Sequence, residues 1–231
     1  MFLRIYVVVL SLVVVVLATA AFRQAGKPQN LGELTVERIN VVDANGTLRM
    51  VISNKDRMHP GVMDGVTIDR PRPEAGLIFF NDEGDEVGGL TYQARIVNGQ
   101  PIASTAVNFD QYKQDQTIGI SYGESNGGRS AALRVWDRPE VHLTELIRRS
   151  NAIKKLPEAQ REAAMRDARA SLPGGHERVF VGKDPSRASR VTLSDADGKP
   201  RLKLTVEADG NARIEFLDAN GRVTSRVPQV Q

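Results

Sequence analysis

VTLSDADGKPRLKLTVEADGNARIEFLDANG, residues 191–221, is the stretch that decides the fold class. Apolar residues fall at every second position: Val191 and Leu193, then Leu202, Leu204 and Val206, then Ala212, Ile214 and Phe216. Lys203, Thr205, Arg213 and Glu215 take the alternate places. Successive side chains of a strand point to opposite faces, so a period of two writes strands with one apolar and one polar side. The runs are separated by Asp195-Ala-Asp-Gly198, Asp209-Gly210 and Asp218-Ala-Asn-Gly221. Asp-Gly between alternating runs is a strong hairpin signal. The stretch therefore predicts an antiparallel meander with one wet face.

Working outward, the same unit recurs. An apolar strand, then Asp-x-Asn/Asp-Gly, then a strand that often begins with Arg, appears at Asp43–Arg49, Asp195–Arg201 and Asp218–Gly221, with a looser copy at Asn81–Gly84. An Asp or Asn side chain at the first position can accept from the backbone two residues on, and Gly at the fourth supplies the positive φ that closes the turn. Asp43, Gly46, Gly84, Asp195, Gly198, Asp218 and Gly221 are accordingly expected to be structural turn residues. A calcium loop starts in a similar way but needs a Glu at its twelfth position. That position falls on Val206 after Asp195 and on Asn54 after Asp43. No metal site and no cofactor is expected.

Further strands are read around the turn at Asp43–Gly46 from Val36, Ile39, Val41, Met50 and Ile52, at the short apolar run Gly76–Phe80 with Val87, Leu90 and Tyr92 beyond its turn, and, alternating with period two, at Val107–Phe109, Ile118–Tyr122 and Ala131–Val135. Between them, residues 54–75 carry Pro60, Pro71 and Pro73 and read as a long irregular connection. Its Arg57, His59, Arg70 and Arg72 offer a surface for an anion, or a solvated insertion. Helical spacing appears only over about 139–172: Leu143, Leu146, Ile147 and Ile153, then Pro157 opening a second segment with Ala164, Ala168 and Leu172 on one stripe, ended by Gly174 and Gly175. The expected fold is mainly β, antiparallel hairpins in a meander with a helical hairpin insertion. Its parts are residues 1–23 as membrane anchor or signal peptide, 24–33 as linker, 34–138 as a β-rich region, 139–175 as the helical hairpin and 176–231 as the C-terminal meander.

At the amino terminus, Arg4 precedes an apolar run, Ile5 to Phe22, broken only by Ser11 and Thr19. A membrane-spanning helix needs roughly 17–25 such residues. A cleaved signal peptide fits as well, because Ala18-Thr19-Ala20 has the A-x-A form. Localisation is thus expected to be membrane-anchored with an extracytoplasmic domain, or secreted or periplasmic after cleavage. The chain has no cysteine, so disulfides, thiol catalysis and thiolate metal sites are excluded. The net charge of +3 is spread along the chain rather than gathered with aromatics, which argues against a nucleic-acid partner.

The segments Thr35–Asp43, Ala75–Glu86, Asn108–Thr117 and Arg134–Pro139 resemble a group of uncharacterised bacterial exported or membrane-anchored proteins with Asp-x-Asn-Gly β-hairpin repeats. The resemblance covers most of the chain after the linker; it implies fold and compartment, and no activity.

Three motifs imitate chemistry. Gly119-Ile-Ser121-Tyr-Gly123 has the form of a nucleophile elbow, but such an elbow turns from strand into helix, and here a hairpin loop follows. His59, His142 and His176 have no metal-ligating neighbour at helical or strand spacing. Asp110, Asp115 and Glu124 offer carboxylates for glycoside cleavage, a chemistry decided by their separation. The expectation is a non-catalytic, envelope-associated structural or interaction module that reaches the membrane through its N-terminal helix and meets a protein partner or itself. A glycan-binding domain is the alternative, and a hydrolase the next.

Overall fold

The computed structural model describes residues 2–25, 30–68, 71–170 and 175–228. Two compact units divide the chain, residues 1–36 and 37–231. The first is dominated by helix α1, Phe2–Ala25, whose stretch Phe2–Ala20 is long and apolar enough to cross a membrane and has no buried residue. A bare apolar helix of that length is a candidate membrane anchor or signal segment. Gly26 and Pro28 of the expected linker lie outside the described residues.

The second unit is built on one twelve-stranded antiparallel sheet. In chain order its strands are β1 Arg38–Val42, β2 Leu48–Ser53, β5 Ala75–Phe80, β6 Glu86–Val97, β7 Gln100–Asp110, β8 Gln116–Ser125, β9 Gly128–Trp136, β10 Glu177–Lys183, β11 Ser189–Ser194, β12 Pro200–Val206, β13 Ala212–Leu217 and β14 Val223–Val227. Spatial order equals chain order throughout, so the sheet is an uninterrupted meander. Strands β9 and β10 pair directly, so residues 34–138 and 176–231 supply one sheet and the helices are an excursion between two neighbouring strands.

That excursion is α2, Leu143–Lys154, followed by α3, Glu158–Ala170. Glu145 bridges Arg148 and Arg149, and Glu162 bridges Arg166, at the spacings that bring side chains together on a helix. Leu172 and Gly174 lie outside the described residues.

The connection over 54–75 is less irregular than its prolines suggest. Asn54 caps a 3-10 turn, Lys55–Arg57, by accepting from the amides of Asp56 and Arg57. A small hairpin follows, β3 Val62–Met63 with β4 Val66–Thr67, turned by Asp64 and Gly65 at φ of 52° and 69°. A two-residue turn with both φ positive is the kind that matches strand twist. The segment is solvated in part, with Lys55–Arg57 and residues 64–67 exposed, and held against the sheet in part. Met63 is only 2% exposed, and Arg72 and Glu86 form a nearly buried ion pair at 2.6 Å. Arg70 lies outside the described residues.

The core is small. Among the described residues the buried hydrophobic side chains are Val51, Met63, Ile78, Phe80, Ala132 and Ala188. Val51, Ile78 and Phe80 form the central cluster, with Leu48 and Met58 packed against it. By strand alternation Val51 and Ile78 lie on one side of the sheet, so the core occupies one side of its first strands.

Candidate interaction surface

The turns come first, because they fix the register on which the surface depends. Gly46, Gly84, Gly198 and Gly221 have φ of 88°, 81°, 75° and 79°, where a Cβ is strained. Asp195 Oδ1 accepts from the amides of Asp197 and Lys199, and Asp218 Oδ1 from those of Asn220 and Arg222. Asn81 Oδ1 does the same for Glu83 and Asp85. At the first copy the local acceptor is Asn45, while Asp43 takes Arg49 at 2.6 Å. Asn81, Asp195 and Asp218 are thus occupied by the backbone they shape, and Asp43 by Arg49.

With the register set, the pairing can be followed from edge to edge. Ile39 stands opposite Ile52, then come Leu77, Leu90, Val107 and Ile120. The row continues through Leu133, Val181, Val191, Leu204, Ile214 and Val227. All twelve are aliphatic. Two residues along each strand, on the same face, runs a second row: Val41, Met50, Phe79, Gly88, Phe109 and Ile118, then Val135, Val179, Leu193, Leu202, Phe216 and Ser225. Only Gly88 and Ser225 depart from the apolar pattern. Gly88 is explained by its neighbours: Phe79 and Phe109 stack across it with ring centroids 6.5 Å apart, and a Cβ there would lie 2.3 Å from the Asn108 carbonyl oxygen.

Both rows reach solvent. Ile120 is 59% exposed, Val227 54%, Phe109 53% and Phe216 46%. The alternation predicted one wet face; the isolated chain has its apolar face wet as well. Neither row contains a charged residue. A shallow apolar trough of about 460 Å³ near the C-terminal edge, between Val191, Leu204, Val206, Ile214 and Val227, lies on this face.

The opposite face carries the small core at its first strands and is polar and internally paired towards the C-terminal strands. Glu215 is 7% exposed and lies between Arg213 and Arg226. Burial opposes its ionisation, but the two guanidiniums outweigh that and hold its carboxyl below the usual range. Arg134 lies over the Phe180 ring, donates to Ser121 Oγ and pairs with Glu177.

A second polar cluster ties the strand ends to the helices. The Lys113 ammonium, 9% exposed, meets Asp85, Glu83 and Asp64. Asp64 also accepts from Thr144 at 2.6 Å and faces His142 at 3.2 Å. Thr144 and Lys113 together hold the Asp64 carboxyl down at about 2. The Lys113 carbonyl accepts from the Leu143 amide, and the Gln114 side chain donates to the Val141 carbonyl, so the β7–β8 turn positions the start of α2. Beside it, a cleft of about 910 Å³ between β4 and α2 is lined by Val66, Ile68, Val141, His142 and Ile147.

Of the residues that imitate catalytic motifs, only Asp110 and Asp115 come together in one cavity. Ser121 sits in mid-strand on β8. His59 lies edge-on against Phe80, and its half-buried ring, followed by Arg38 and Arg72, keeps it below its ordinary value. His176 packs against Gly198. Asp110 and Asp115 line one cavity with Glu86, of about 230 Å³, below the roughly 300 Å³ at which small-molecule sites begin. Glu124 is absent from that cavity and is held by Tyr122 and Arg129. Among the described residues, no group of His, Asp and Glu has the arrangement to hold a metal ion. What sequence reasoning missed was the continuity of the apolar rows across both halves of the chain. The alternation was visible strand by strand, but the register joining β9 to β10 over the helices was not. Comparison with protein-family models and with curated proteins gives no match to this chain.

Proposed function

We propose that this chain is a membrane-tethered, non-catalytic interaction module whose working surface is the apolar face of the sheet. The observation that carries the reading is the row of twelve aliphatic residues, one per strand, none of them buried and six of them exposed. Soluble proteins seldom expose contiguous apolar patches beyond a few hundred Å², and larger ones mark interaction sites. Twelve strands about 4.8 Å apart, carrying two rows about 7 Å apart, amount to a face on the order of 800 Å². Leaving that area in water, at roughly 25 cal/mol per Å², is a cost that a covering partner removes. The small core points the same way, since much of the apolar sequence is spent on this face. Helix α1 supports attachment to a membrane of the bacterial envelope, with the sheet on its extracytoplasmic side.

The test uses single cysteines in a chain that has none. Ile120→Cys on the face and Ala219→Cys in an exposed turn are compared in native membranes for reaction with an aqueous maleimide. Ile120→Cys should react at least ten-fold more slowly. Equal rates mean that the face is bare in the cell and refute the reading. A membrane-impermeant maleimide on intact cells should label Ala219→Cys; labelling only after lysis places the sheet inside.

A further inference from the structure

We infer that the partner covering this face is a second copy of the same chain, stacked sheet on sheet. This rests on the reading of the apolar face as the working surface. Three observations select the occupant. First, the area suits: about 800 Å² from each of two copies gives about 1,600 Å², the standard size of a specific, stable protein interface. Second, the chemistry suits. Neither row offers a charge or a hydrogen-bond donor beyond Ser225, so a partner must present an equally long and uncharged surface. A second copy does so by construction. A lipid would want a deep slot for its chain, whereas this face has one shallow trough, bordered by Arg190 and Arg213, that takes in only its last strands. Third, the shape suits. A sheet accumulates about 20–25° of twist per strand, so over twelve strands only a partner of the same hand and pitch stays in contact. Two copies of one sheet meet this condition, as aligned sheets do in a β-sandwich, packed about 10 Å apart. If both copies are tethered by α1 in one membrane, their effective concentration is raised further.

The fold also supplies the probe position. Six strands lie on either side of the boundary between β8 and β9, so the midpoint of the aliphatic row falls between Ile120 and Leu133. In a fully overlapped pair, parallel or antiparallel, that midpoint lies opposite its own copy. Full-length Ile120→Cys, Leu133→Cys and Ala219→Cys chains in native membranes are treated with a bismaleimide of about 10 Å span, a length set by the sheet separation. The two face positions should give a band at twice 25.3 kDa, at least ten-fold stronger than Ala219→Cys gives. Adding Ile120→Glu to Leu133→Cys should abolish that band while the amount of chain in the membrane stays the same. The first arm does not depend on that charged variant folding, because cysteine is small and apolar. If Ile120→Cys is shielded from maleimide yet yields no doubled band, another molecule covers the face and the second copy is refuted. If Ile120→Cys reacts freely, the covered face itself is refuted.

Discussion

Replacing the four turn glycines by alanine separates two physical costs that the sequence makes look identical. Gly46, Gly84, Gly198 and Gly221 share the left-handed backbone, where a side chain costs roughly 1–2 kcal/mol. At Gly46, Gly84 and Gly221 a new Cβ meets nothing within 4 Å. At Gly198 it would lie 2.6 Å from the His176 Cβ and 2.8 Å from its Cγ. The His176 Cβ is fixed to the backbone one residue before β10, so it cannot swing aside as a chain end would. Overpacking of that kind adds about 1–3 kcal/mol. In a unit of this size 1 kcal/mol moves the melting temperature by about 2–4 °C. The three open sites should therefore lose about 2–8 °C, and Gly198→Ala about 4–20 °C. Adding His176→Gly should restore the excess at Gly198 and do nothing for Gly221→Ala, a coupling of about 1–3 kcal/mol in a double-mutant cycle. Thermal unfolding of the full chain followed by circular dichroism measures all of these. Equal losses at the four sites, or no coupling to His176, would refute the reasoning. Among variants of Gly221, Val should be worse than Asn, because a branched Cβ tolerates positive φ least.

Other outcomes follow from burial and charge. Ile78→Ala, at a site 2% exposed, should cost about 2–5 kcal/mol. Ile120→Ala should cost about 2 kcal/mol despite its 59% exposure in the isolated chain, because its partner surface is lost; a cost below about 0.5 kcal/mol, the surface norm, would count against a covered face. Asp64 has its folded value lowered to about 2 from an ordinary 3.8, so its contribution is present above about pH 4 and lost as pH falls towards 2. Asp64→Asn should flatten that part of the acid limb in denaturant titrations; an unchanged slope would remove Asp64 from the acid response. Deleting residues 2–22 should release the chain from membranes, and a truncated chain that still sediments with them would show that α1 is not the anchor.

Much of the architecture is local chemistry and is legible residue by residue. Val191 to Phe216 alternate because a strand has two faces, and the Asp-led turns ending in Gly stand where the backbone turns left-handed. Pro157 and the Glu–Arg spacings mark the helical hairpin in the same way. Other features escaped the sequence because they depend on partners far along the chain. Lys113 looks like one more charge in a polar turn, and only the fold gathers Asp64, Glu83 and Asp85 around it. The proline-rich connection looks solvated, and only the fold buries Met63 within it.

The sequence by itself determined that there would be strands, where they would turn, which side of each would be apolar, and that an apolar helix would precede them. These follow from periods of two and 3.6 and from the φ that glycine alone accepts freely. The tertiary structure alone decided that one apolar side of every strand falls on a single face, with Val51 and Ile78 turned to the other. The pairing of β9 with β10 carries the register across the helical excursion, and a slip of one residue at that junction would have turned half the row to the other face. It alone decided, too, that this face is left open while the small core forms elsewhere. Burial is a property of what packs against a surface, and no pattern within a strand states what that will be.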